Sequence, residues 1–153
     1  MVAAKDVAAF LTFLAQNGVE EDLLTHLRLQ KLLYYVQGWS LALRGVVMFP
    51  DRIEAWAHGP VVPSIYHTLK DSGSKPFSLE AEPNDFNMSD EERAFVAEVW
   101  EEYKSFAALK LREMTHSESP WIDARKGSSP GERCNVEITP EAMMTHFSKL
   151  AVA

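Results

Sequence analysis

The residues best equipped for chemistry lie between Thr115 and Trp121, in the run Thr-His-Ser-Glu-Ser-Pro-Trp. A histidine that takes a proton, a serine that attacks and a carboxylate that orients the imidazole are the parts of an acyl-transfer triad. Here His116, Ser117, Glu118 and Ser119 follow one another directly. Triads converge from separate parts of a fold, and adjacent side chains rarely point at one another, so adjacency argues against that reading. A Gly-x-Ser-x-Gly turn, which would expose a nucleophile, is absent from the sequence. The same letters describe a corner between two helices. Thr115 and His116 would close one helix, and Ser119 would cap the next with Pro120 in its first position, where a missing N–H costs nothing. Trp121 and Ile122 would then anchor the new turn in the core.

A metal-dependent or histidine-based hydrolase would have to gather His58, His67 and His116 from distant places. The five histidines, which include His26 and His146, form no His-x-x-x-His or His-Glu-x-x-His pair. Cys134 is the one cysteine and has no zinc-ligand spacing around it, so it reads as a spectator thiol. No catalytic, cofactor-binding or metal-ligating residue is assigned, and no cofactor is expected. Trp56 and Trp121 suit either a core or a binding hot spot.

The elements that must position these residues are mostly helices. Val7, Phe10, Leu11 and Leu14 recur at helical spacing over Lys5–Gln16, and Asn17-Gly18 is a natural stop. Thr25–Arg44 is apolar nearly all round, which predicts a central, buried helix ending at Gly45. A β-hairpin is expected next: a strand Val46–Phe49, a turn at Pro50-Asp51 and a strand Arg52–Ala57. Pro60 forbids a ladder bond, and Pro63 opens a short helix that carries Ile65, Tyr66 and Leu69 inward and stops near Ser72-Gly73. Ser74–Met88 reads as a surface loop. Ser89 and Glu92 form a capping box for a helix with Phe95, Val96, Val99, Trp100 and Tyr103, continuing or kinking near Ser105 toward Met114. Thr139 and Pro140 begin a last helix bearing Met143, Met144, Phe147 and Leu150. The expected fold is mainly α, a single-domain helical bundle over residues 1–153 around a buried central helix, with a small β-hairpin.

Composition narrows the function classes. The 153 residues are 46% hydrophobic and 24% charged, ordinary for one soluble domain. There is no apolar run of membrane-spanning length and no signal-peptide pattern at the start, so a cytoplasmic protein with no membrane partner is expected. The net charge of −7, with carboxylates crowded between Glu80 and Glu102, disfavours nucleic acid and makes a DNA-binding autorepressor the weaker alternative. It leaves room for a basic protein partner.

Three stretches together carry a resemblance. "LRLQKLLYYVQGWSLALRG" (Leu27–Gly45), "IEAWAHGPVVPSIYHTLK" (Ile53–Lys70) and "LREMTHSESPW" (Leu111–Trp121) occur in that order. They resemble the Panacea domain, the SocA-like antitoxin family that also includes phage-associated proteins of the GepA type, over about residues 5–150. The resemblance implies an antitoxin that neutralises a cognate protein toxin by direct contact. It further implies a role as adaptor delivering the toxin to an ATP-dependent protease or its unfoldase, and no enzymatic activity. Its motif positions here are Lys31, Tyr34, Trp56, Gly59, Pro60, Thr115, His116, Pro120 and Trp121. The partner-binding surface expected from these readings is the rim between the Ala57–Pro63 turn and the Thr115–Trp121 corner. It comprises Trp56, His58, Pro60, Val61, Thr115, His116, Pro120 and Trp121.

Overall fold

A computed structural model of the chain describes residues 2–18, 24–70 and 86–152. In chain order the elements are α1 (Ala4–Gln16), α2 (His26–Arg44), β1 (Ile53–Trp56), β2 (Gly59–Val61), α3 (Pro63–Leu69), α4 (Asp90–Tyr103), α5 (Ala108–His116), α6 (Ser119–Ala124), β3 (Glu137–Ile138) and α7 (Pro140–Ala151). The fold is mainly α, as expected. Among the described residues no helix is long and apolar enough to cross a membrane.

The helix boundaries follow from capping chemistry. Thr25 Oγ1 accepts the Arg28 N–H at 3.3 Å, and at the other end of α2 Gly45 takes a left-handed φ of 74° and returns its N–H to Leu41 O. Ser89 Oγ accepts the Glu92 N–H at 3.0 Å while Glu92 takes the Ser89 N–H at 2.9 Å, closing the expected capping box of α4. Thr139 Oγ1 caps α7 by accepting the Ala142 N–H, with Pro140 in the first turn.

Helix α2 is the central post, with Leu29, Leu32, Leu33, Tyr34 and Val36 fully buried. Helices α1, α4, α5 and α7 all pack against it. The approach of α7 depends on Gly38: a Cβ there would stand 2.2–2.6 Å from the Phe147 ring. Phe147 therefore lies directly on the α2 backbone, edge-on to Tyr34, Tyr35 and Trp39. On α7, Met143 and Phe147 are buried, whereas Met144 and Leu150 remain partly exposed.

The hairpin lies one element later than the sequence suggests. Val46–Phe49 forms no strand; β1 pairs with β2 through a two-residue turn at Ala57-His58, with Glu54 opposite Val61 and Trp56 opposite Gly59. The reason is that α2 side chains take up the polar backbone groups of 46–49 that a ladder would use. Gln37 Nε2 donates to Phe49 O at 2.8 Å and Gln37 Oε1 accepts from Met48 N at 2.8 Å, while Ser40 Oγ donates to Val46 O at 2.7 Å. A third short strand, β3, adds antiparallel to β1 and gives the order β2-β1-β3. Pro60 is tolerated in β2 because β2 is an edge strand. Its partner Ala55 turns its own N–H the other way, to Val136 O at 2.9 Å.

Two further expectations are modified. The stop near Ser72-Gly73 and most of the Ser74–Met88 loop lie outside the described residues, but Phe86 and Met88 are buried, Phe86 against the rings of Phe10 and Phe13. Of the two courses expected for the helix that begins after Ser89, the break near Ser105 is the one taken: it ends at Tyr103, and α5 starts afresh at Ala108. Arg28 of α2 holds that break by donating Nη2 to Lys104 O at 2.6 Å.

Candidate partner-binding site

The Thr115–Trp121 run is a corner between α5 and α6, and its polar groups point apart. Ser117 Oγ donates to Glu113 O, a local helix-end bond. Glu118, not Ser119, occupies the position preceding α6, and its carboxylate turns inward. It accepts Tyr34 O–H at 2.9 Å and Tyr35 O–H at 2.8 Å. His116 turns the other way and stacks on Trp121, ring centroids 4.0 Å apart at 14°. Ile122 is 45% exposed rather than anchored in the core. Ser119 Oγ does approach His146 Nδ1, at 3.4 Å, and His146 Nε2 stands 3.8 Å from Glu118. The first distance is long for an O···N hydrogen bond and the second lies outside that range. Among the described residues no three His, Cys, Asp or Glu side chains group as metal ligands would.

Burial sets the electrostatics of this polar interior. The Glu118 carboxyl is pushed up by desolvation, partly countered by the two tyrosine hydrogen bonds. Tyr34 and Tyr35 are raised far above the usual phenol value, by burial first and by the Glu118 charge second. His146 is lowered by burial and by Lys149.

The hairpin is fastened to the helices through its main chain. Lys31, fully buried on α2, donates Nζ to Pro60 O at 3.0 Å. Gln30 on the same helix holds both sides of Val62, accepting its N–H at 2.7 Å and donating to its carbonyl at 3.3 Å. From the other side, Trp121 Nε1 donates to Trp56 O at 2.8 Å, and Arg125 Nη1 donates to Ala55 O at 3.0 Å. Gly59 makes the fit possible. Its φ of 114° strains any residue with a Cβ, and that atom would stand 2.6 Å from Lys31 Cε and 3.1 Å from Thr115 Oγ1. Thr115 Oγ1 itself donates back to Arg112 O.

Basic side chains collect beneath and beside the turn. Burial pushes the Lys31 amine down to about 7, with the Arg112 guanidinium adding to the effect. Burial likewise lowers His116 to about 4, and Arg112, Lys31, Arg125 and His58 all push the same way. Arg112 and His116 share one face of α5, four residues apart.

The expected rim residues therefore meet in space, but they divide by exposure. Pro60, Val61, Thr115 and Pro120 are buried and support the corner from below. His58 is exposed on the turn, while Trp56, His116 and Trp121 are half-buried along the edge. His67 lies apart from them on α3, exposed against the Tyr66 ring. Residues 29–122 match the family model for the antitoxin SocA-like Panacea domain. The chain belongs to that family. No curated protein and no solved structure matches it. The Panacea match begins in α2 and ends in α6, so it spans every element of the rim and omits α1 and α7. Membership in an antitoxin family implies a toxin as partner.

Sequence reasoning missed the residues that do the fastening. Gln30, Gln37, Arg112 and Arg125 were not singled out, Glu118 was considered only as a partner of His116, and Lys31 was named only as a motif position. One signal was present: Gln30, Lys31 and Gln37 interrupt a helix that is otherwise apolar on nearly all sides. A polar side chain in such a helix is buried, and a buried polar side chain needs a partner.

Proposed function

We propose that this Panacea-domain chain is a non-catalytic antitoxin that neutralises a cognate protein toxin by direct binding, through the rim of Trp56, His58, His116 and Trp121. The observation that carries the reading is the clamped hairpin. Lys31, Gln30, Trp121 and Arg125 hold its backbone from two sides, so the exposed turn is preorganised and little ordering cost remains for binding. Tryptophans on a rigid edge are typical anchors of protein interfaces. In this reading the chain acts as one domain in the bacterial cytoplasm, with α1 and α7 completing the core around α2.

Co-expression with the neighbouring gene product tests the proposal. The two should co-purify, and the toxicity of that product should be relieved; failure of both would end the antitoxin reading. The double variant His58→Ala/His116→Ala should keep the wild-type fold and weaken the complex by about 1–3 kcal/mol, the range of interface anchors. Unchanged affinity would move the interface elsewhere.

An adaptor role extends the same proposal and needs a second surface for the protease or its unfoldase. Helix α4, which takes no part in the rim, offers exposed carboxylates at Glu91, Glu98, Glu101 and Glu102. Faster toxin turnover in a purified mixture of protease, toxin and this chain is expected, and an unchanged rate would remove the extension.

A further inference from the structure

Gln30 holds the joint between β2 and α3, and the way it does so fixes the state of a neighbouring histidine. Gln30 Oε1 accepts the Val62 N–H at 2.7 Å, and Gln30 Nε2 donates to Val62 O at 3.3 Å. Turning the amide over would set its NH2 group against the Val62 N–H, so the backbone dictates its orientation. Gln30 Nε2 also lies 3.0 Å from His26 Nε2, one turn earlier on α2. Both hydrogens of the amide nitrogen are then used, and the ring nitrogen that meets one of them must offer a lone pair. His26 is therefore neutral, with its proton on Nδ1, whenever Gln30 grips Val62. Both side chains are buried, so losing either partner carries a desolvation cost.

The surroundings oppose a charge on this ring. His26 is the first residue of α2, at the positive end of the helix dipole. Burial lowers its proton affinity, and Lys31 on the same helix adds to the effect. On α3 the Tyr66 ring lies against the imidazole, with centroids 5.3 Å apart, and the Val62 backbone brings no charge. Arg28 is directed to Lys104 O and the Trp100 ring, and His67 is exposed beside Tyr66. Among the described residues no carboxylate lies within ion-pair distance of His26. Glu20, Glu21 and Asp22, which precede α2 in the sequence, lie outside the described residues.

We propose that His26 is an acid-released latch on the hairpin: protonating Nε2 sets N–H against NH2, withdraws Gln30 from Val62 and loosens the joint through which β2 leads into α3. Lys31, Trp121 and Arg125 keep their bonds to Pro60, Trp56 and Ala55, so the release is local. Slack at Val62 reaches the Ala57-His58 turn along β2, and affinity for the partner falls with it. That last step rests on the rim being the surface that meets the partner. The latch is fully closed above the ordinary histidine value of 6.5. It opens as pH falls below 6.5, by up to about tenfold per pH unit until the lowered value is passed.

The test titrates the full chain by NMR from about pH 7.5 to about pH 5. At neutral pH the His26 ring should carry its proton on Nδ1 and none on Nε2. The Gln30 side-chain amide and the Val62 N–H should shift with the same midpoint as the ring. Hydrogen-exchange protection at Val62 should fall roughly tenfold more in wild type than in His26→Gln, whose amide oxygen replaces the ring nitrogen with an acceptor that takes no proton. A proton on Nε2 at neutral pH, or Gln30 and Val62 signals that ignore the His26 titration or behave alike in both proteins, overturns the inference. Should His26→Gln not fold, the tautomer and the shared midpoint in wild type decide the matter alone. With the toxin, wild type should lose affinity roughly tenfold more than His26→Gln over the same range; titration of His58 and His116 cancels in that comparison. If the NMR signals respond as expected but toxin affinity falls equally in both proteins, the latch stands and the rim is not the surface that meets the toxin. If His58→Ala/His116→Ala weakens the complex but Gln30 and Val62 do not follow His26, the rim stands and the latch is lost.

Discussion

Replacing Lys31 with methionine should change how stability depends on pH more than stability itself. The side chain is fully buried, and its amine titrates near 7 instead of 10.5, chiefly from desolvation and secondarily from Arg112. A depressed folded-state value means that the folded chain sheds a proton which the unfolded chain keeps. Between those two values stability rises with pH; it is fully present above 10.5 and lost as pH falls toward 7. One group in that window contributes about 1.4 kcal/mol per pH unit, so the wild type should gain about 2–3 kcal/mol over Lys31→Met between about pH 7.5 and 9.5. Methionine keeps the side chain up to the Cε position but leaves Pro60 O without its donor, a roughly pH-independent cost of about 1–3 kcal/mol. The assay is urea unfolding of both proteins at several pH values. Subtracting the two curves removes the tyrosines, which both chains share. A difference that stays flat across the window would mean that the amine keeps its proton when buried, and the desolvation argument would be wrong.

Three other perturbations follow from the packing. Gly59→Ala combines a φ of 114° with a 2.6 Å approach to Lys31 Cε, and should cost about 3 kcal/mol or more in chemical denaturation. Gly38→Ala should be at least as damaging, because its methyl would sit 2.2 Å from Phe147; adding Phe147→Leu should recover part of the loss, and an additive double variant would argue against that contact. Glu118 has a raised folded-state value, so its contribution is full below the ordinary 4.5 and lost as pH rises through the folded value. The stability gap between wild type and Glu118→Gln should therefore narrow from acid toward neutral pH, measured by thermal melts. Glu118→Ala, which strands both tyrosine hydroxyls, should cost about 2–4 kcal/mol at either pH.

The starts of α2, α3, α4 and α7 were legible because they are specified locally. The caps Thr25, Ser89 and Thr139, the stop at Gly45 and the first-turn prolines Pro63 and Pro140 sit at the ends that they specify. The hairpin was misplaced because Val46–Phe49 is β-prone by composition, while the decision is made at long range, where Gln37 and Ser40 of α2 claim its amides and carbonyls. Periodicity carries no information about such side chain-to-backbone bonds. The meeting of the turn with the corner could be expected from motifs, but the inward swing of Glu118 could not. It depends on two tyrosines more than eighty positions earlier in the chain.

The clamp on the hairpin grips carbonyls and amides, never the side chains at Ala57 and His58. Those two positions are thus exempt from the rules that keep the rest of the chain intact. A lineage confronted with a new adversary is free to rewrite them without rebuilding anything underneath, much as a key blank is recut at its teeth while the bow stays the same.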